Sequence, residues 1–152
     1  AALQAAEQEV QLLQDVGDRR GKADASLMLS ALYVESRKDA EAAAAAQQAA
    51  ELYQELQDRK GEAVAVFASM FPHLLKESVG DALTAAEEAR AMFQDTGDRT
   101  WEARTLWATS VAHATKGDFE SAITKATDAQ AIFEEVGDKK GTASAMLVVA
   151  DM

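Results

Sequence analysis

His73 and His113, the only two histidines in this 152-residue chain, stand 40 residues apart. Imidazole can ligate a metal or act as a general base, and Glu77 follows His73 by one helical turn. No further carboxylate or histidine completes a ligand set at that spacing. The pair therefore reads as structural, filling one repeated slot between helices. Ser69 and Ser110 lie nearby at helical spacing. A nucleophilic serine needs an oxyanion hole and a strained turn, and mid-helix positions offer neither. Gly17 to Lys22 reads Gly-x-x-x-Gly-Lys, one residue short of a phosphate loop, and it follows a helical pattern rather than a strand. Asp18, Asp58, Asp98 and Asp138 form a column that could suggest calcium, but helix N-capping accounts for each singly. A basic column of Arg19, Arg59, Arg99 and Lys139, with Arg20, Lys60 and Lys140 beside it, leaves two readings open. It could meet an acidic partner, or pair with Asp15, Glu55, Asp95 and Glu135 across each turn at small gain. With no cysteine there is no thiolate ligand, cysteine nucleophile or disulfide. The expectation is a protein that is not an enzyme and holds no cofactor and no metal.

The columns exist because the chain repeats. Val16-Gly17-Asp18-Arg19-Arg20-Gly21 returns as Leu56-Gln57-Asp58-Arg59-Lys60-Gly61, as Thr96-Gly97-Asp98-Arg99-Thr100-Trp101 and as Val136-Gly137-Asp138-Lys139-Lys140-Gly141, at a period of 40 without insertion. Gly17, Gly97 and Gly137 suit a left-handed residue just past a helix end. Gln57 breaks that column, and a non-glycine residue there should cost about 1 kcal/mol. Asp after each suits the next N-cap. Second breaks fall at Ser36–Asp39, Glu77–Gly80 and Lys116-Gly117-Asp118. Helices are predicted at 1–16, 19–35, 39–56, 59–76, 80–96, 99–115, 119–136 and 139–151. Ala63, Val66, Phe67, Met70, Phe71 and Leu74 follow the helical period, as do Ala103, Leu106, Trp107, Ser110, Val111 and Ala114. The alternate helices carry alanine columns, Ala42, Ala82 and Ala122, and Ala46, Ala86 and Ala126, which let backbones approach closely. Pro72 should kink its helix.

Composition agrees with a globular all-α chain, at 48% hydrophobic, 27% charged and a single proline. A net charge of −11 would repel phosphate backbones, so no nucleic-acid partner is expected. No apolar run approaches the ~20 residues that span a bilayer, and no signal pattern is visible. No membrane association is expected, and a cytoplasmic setting is.

Lys116-Gly117-Asp118-Phe119-Glu120-Ser121-Ala122-Ile123 resembles the inter-helix turn of a tetratricopeptide repeat, with Ala122, Ala126 and Ala129 at that family's small second-helix positions. Ala82, Ala86 and Ala89 match one repeat earlier, and Ala42, Ala46 and Ala49 before that. The period of 40 is similar to the longer variant of kinesin light chain. Departures are plain. Ser26, Val66 and Leu106 stand at the signature tryptophan, Ser30, Met70 and Ser110 at the glycine, and His73 and His113 where Tyr33 keeps the tyrosine. HEAT-like helical pairs are the alternative. Either way the architecture is an α-solenoid of antiparallel helix pairs, which for tetratricopeptide repeats implies a right-handed superhelix of about eight helices. The chain divides as a single repeat domain over 1–152. A lone second-type helix covers 1–16, repeats cover 19–56, 59–96 and 99–136, and a lone first-type helix covers 139–152.

The resemblance implies a non-catalytic protein-interaction module that takes a peptide or helix on a concave face. Carried over residue by residue, that face comprises Leu27, Ala31 and Val34, then Phe67, Phe71 and Leu74, then Arg104, Trp107, Val111 and Ala114, then Leu147. It would be apolar, with Phe67 and Trp107 as anchors, and it lacks the lysines and asparagines of the family's carboxylate clamp. The same positions could instead be partly buried core. The alternative function is a structural scaffold segment that associates end to end, a homo-oligomer through its terminal helices. Neither end carries the polar cap of a free solenoid, and the first residue is not Met. A piece of a longer array is the matching expectation.

Overall fold

Twenty residues, half the sequence period, is the structural unit. Gly17, Arg37, Gln57, Glu77, Gly97, Gly117 and Gly137 all have positive φ, between 55° and 84°. After each, the next amide closes a helix end in the Schellman manner by donating five residues back, Asp18 to Leu13, Lys38 to Tyr33, Asp58 to Tyr53, Ser78 to His73, Asp98 to Phe93, Asp118 to His113 and Asp138 to Phe133, at 2.8–3.0 Å. Gln57 takes the left-handed conformation expected of it, and Arg37 and Glu77 do so as well. Three non-glycine residues therefore carry the left-handed strain.

The computed structural model describes residues 1–151, which form α1 (Ala2–Asp15), α2 (Arg19–Glu35), α3 (Asp39–Glu55), α4 (Arg59–Leu75), α5 (Val79–Asp95), α6 (Arg99–Lys116), α7 (Phe119–Glu135) and α8 (Lys139–Ala150). Every predicted helix is present with its ends within a residue of expectation; position 152 lies outside the described residues. Asp18, Asp58, Asp98, Asp118 and Asp138 accept from the amides of Gly21, Gly61, Trp101, Ser121 and Gly141 at 2.8–3.2 Å, which is why α2, α4, α6, α7 and α8 begin where they do. α4 continues through Pro72 to Leu75.

The chain divides into two compact units, Ala1–Ser78 and a second that begins at Val79. In the first, α1 packs on α2, α2 on α3 and α3 on α4, and α2 also touches α4. Ala42, Ala46 and Ala49 of α3 are fully buried, so helices meet there over small side chains. In the second, α5 packs on α6, α6 on α7 and α7 on α8, and α6 also touches α8. Ala82, Ala86, Ala89, Ala122, Ala126 and Ala129 are fully buried in the same manner. The polar residues standing at signature positions are buried and satisfied. Ser30 donates to the Ala42 carbonyl at 2.8 Å, Ser26 to Gln48 at 2.8 Å and Ser110 to the Trp107 carbonyl at 2.6 Å. The described residues contain helices and no strand, and within each unit consecutive helices pack as an all-α helical repeat.

Candidate functional site

The residues carried over from the family's concave face fall on α2, α4, α6 and α8, the first-type helix of each repeat. In the first unit, Leu27 and Val34 of α2 are half-buried, and Leu27 packs against the buried cluster of Ala23, Ala49, Tyr53 and Ala65. On α4, Phe67 and Leu74 are half-buried and Phe71 is exposed. The Phe67 and Phe71 rings meet edge to face at 5.4 Å. In the second unit, Trp107 and Val111 lie one turn apart on α6 and are 37% and 38% exposed. Their neighbours Leu106 and Ser110 are 1% and 0% exposed, so α6 presents one side to its core and the Trp107–Val111 side outward. Arg104 is exposed next to them, with its guanidinium over the Trp101 ring at 5.0 Å. Leu147 of α8 is exposed. Leu27, Val34, Phe67, Phe71 and Leu74 thus lie on α2 and α4 of the first unit, and Arg104, Trp107, Val111 and Leu147 on α6 and α8 of the second.

The histidine slot is a structural column. Leu13, Tyr33, Tyr53, His73, Phe93, His113 and Phe133 recur every twenty residues, and each supplies the carbonyl that closes its helix. His113 Nδ1 lies 3.1 Å from Asp118 Oδ2. Asp118 caps α7, and hydrogen bonds from Ser121, then from His113, hold its carboxyl below the usual range. Among the described residues no three metal-ligating side chains converge.

The basic column corrects the sequence reading. Arg19 pairs with Glu55 at 3.0 Å and Arg99 with Glu135 at 2.7 Å, each 36 residues ahead, rather than with the acid across its own turn. Arg20 reaches Asp58, and Arg59 reaches Glu62 at 3.1 Å. In stacked helix pairs the acid ending the next second-type helix comes beside the arginine starting the first-type helix. The Arg19–Glu55 and Arg99–Glu135 pairs are exposed and contribute little to stability. They also offset a local penalty, because an acid at a helix C-terminus opposes the dipole. Arg19, Arg20, Arg59 and Arg99 of the basic column are thus engaged inside the chain.

Glu102 was not singled out by sequence reasoning. It is 2% exposed and accepts from Arg99 at 2.5 Å and from Gln94 at 2.7 Å, with Arg90 at 3.7 Å. The Arg-x-x-Glu spacing at Arg59/Glu62 and Arg99/Glu102 is the signal that could have marked it.

No protein-family model matches the sequence, and no curated relative does. Solved structures do. One is a signal transduction ATPase with numerous domains from Pyrococcus horikoshii, described as carrying a tetratricopeptide repeat sensor. It is similar at 18% identity and a TM-score of 0.78, over 96% of this chain and 23% of that one. Another is BtubC (BKLC) from P. vanneervenii, at 19% identity and a TM-score of 0.76, over 90% of this chain and 57% of that one. The chain therefore spans less than two thirds of either. At these identities the likeness concerns the fold, a tetratricopeptide-like helical repeat.

Proposed function

We propose that residues 1–152 act as one repeat domain, a non-catalytic protein-interaction module that takes an apolar peptide or helix against its first-type helices. One observation carries this reading. Trp107 and Val111 stand outward at i, i+4 on α6 while Leu106 and Ser110 beside them are buried. That spacing suits an amphipathic helix or an extended apolar segment. Phe71 on α4 and Leu147 on α8 extend the same chemistry within their own units. The setting proposed is cytoplasmic, with no nucleic-acid or membrane partner; no helix among the described residues is long and apolar enough to cross a membrane.

The test is a selection of peptides from a random display library on the purified chain, followed by titration of the best binder against Trp107→Ala and Phe71→Ala. Binding should weaken by tenfold or more in at least one variant, while the melting midpoint drops by less than roughly 10 °C. A Trp107→Ala loss as large as that of Leu106→Ala, about 2–5 kcal/mol for a buried leucine, would assign Trp107 to the core and sink the anchor.

A second reading, end-to-end self-association, is favoured by the exposed apolar residues of α1 and α8, namely Leu12 and Val16, and Met146 and Leu147.

A further inference from the structure

The repeat contains its own template for a contact that α8 does not make within the chain. In the first unit a cavity at the α1–α2 turn is lined by Leu13, Gln14, Gly17, Asp18, Arg19 and Lys22, and Leu52 and Glu55 of α3 complete its wall. Moved along by three periods, these α1–α2 positions other than Asp18 are Phe133, Glu134, Gly137, Lys139 and Thr142. These five line a cavity at the α7–α8 turn, together with Ala143 and Met146. No helix among the described residues covers this second cavity. The effect on its neighbours is measurable. Leu106, one period before Met146, is 1% exposed in a cluster with Ala129 and Ile132 of α7, whereas Met146 is 53% exposed. Lys139 shares the column of Arg19 and Arg99, yet it has no carboxylate within ion-pair distance among the described residues.

α1 carries the complement. Leu12 and Asp15 stand one period before Leu52 and Glu55, the residues that close the first cavity. Leu12 is 64% exposed and Val16 75%, whereas Ile132, the counterpart of Leu12 in the second unit, is 8% exposed. Asp15 ends α1 against the helix dipole. Glu55 and Glu135, in the same column, are compensated by Arg19 and Arg99. Among the described residues Asp15 receives only the Gln11 amide, at 2.8 Å.

We propose that α1 of a second copy docks on α8 as α7 docks on α6, with Leu12 over Met146 and Asp15 beside Lys139. The contact is heterologous, head to tail. Charge complementarity favours this occupant, because Glu55 and Glu135 fill the column beside Arg19 and Arg99, and α1 presents the matching Leu12 and Asp15. The proposal rests on the second reading above and adds its register.

Sedimentation equilibrium of the chain from roughly 10 μM to roughly 1 mM, at low salt, tests both separately. The mass should rise with concentration. Lys139→Glu and Asp15→Lys should each weaken association about fivefold or more, with helicity by circular dichroism unchanged. The double variant Asp15→Lys with Lys139→Glu should restore it, which misfolding would not do. Leu12→Glu should weaken it regardless of charge pairing. A wild-type chain that stays monomeric overturns the register and the self-association reading together. Association that ignores both charge reversals overturns the register alone.

Discussion

Tyr53 and Gly61 constrain each other. A Cβ on Gly61 would enter the Tyr53 ring, and one on Gly141 would enter the Phe133 ring. In the third repeat the glycine is replaced by Trp101, whose ring stacks on Phe93 with centroids 5.5 Å apart. Alanine is a better helix former than glycine by about 1 kcal/mol. Overpacking against a buried ring costs ~1–3 kcal/mol and should win. Gly61→Ala is therefore expected to lower stability in urea unfolding, and a gain would mean that the ring moves aside. The glycine column was visible in the sequence; its reason was not, because the ring belongs to the preceding helix. Tyr53 makes a second prediction. Burial, and then its 2.5 Å hydrogen bond to Asp24, push its phenol well above the usual value. Tyr33 is pushed up to about 12, first by its bond to Glu7. The fold favours both neutral phenols, so their contribution is whole below the unfolded value of about 10 and is lost as pH rises beyond it. Tyr53→Phe should flatten the alkaline fall in stability. An unchanged slope between about pH 10 and 12 would show that other groups govern it.

Helices were legible almost to the residue because α2, α4, α6, α7 and α8 begin with the same chemistry, an Asp N-cap after a left-handed residue. Arg37 and Glu77 were harder, since neither side chain announces positive φ. The salt bridges were misread for a physical reason. Nearness in sequence favoured Arg19 with Asp15, but stacking brings Glu55 closer although it is 36 residues away. Alanine columns tell the packing phase of each second-type helix. Ala86 and Ala126 are fully buried, and Ala44 is exposed. Ala86→Leu and Ala126→Leu should each destabilise by ~1–3 kcal/mol. Ala44→Leu should fall within about ±0.5 kcal/mol, as surface changes do. Denaturant midpoints at unchanged slope decide this, and equal losses at all three positions would show that these faces are not distinct.

The outward residues were only partly legible at the scale of the chain. Trp107 and Leu106 look alike in a sequence stripe, and only packing separates an exposed position from a buried one. The end helices show the same limit. Leu3, Val10 and Leu13 are half-buried, whereas Leu12 and Val16 stand exposed, a phase set by which neighbours α1 has. Those neighbours also set a gradient of stability. α1 holds one buried residue, Ala6, and α8 one, Ala145, whereas α6 buries residues along most of its length. In a repeat protein, stability sums over units and their contacts with immediate neighbours, and segments with little buried surface open first. In dilute protein the amides of α1 and α8 should therefore exchange with deuterium fastest, and those of α2, α3, α6 and α7 slowest. Any contact that covers α1 and α8 adds protection by mass action. Raising the protein to roughly millimolar should then slow exchange in those two helices and leave α3 and α6 unchanged. Equal protection from α1 to α8 at low concentration would show that the chain opens as one cooperative body. A concentration effect confined to α3 or α6 would place self-contact on a different face.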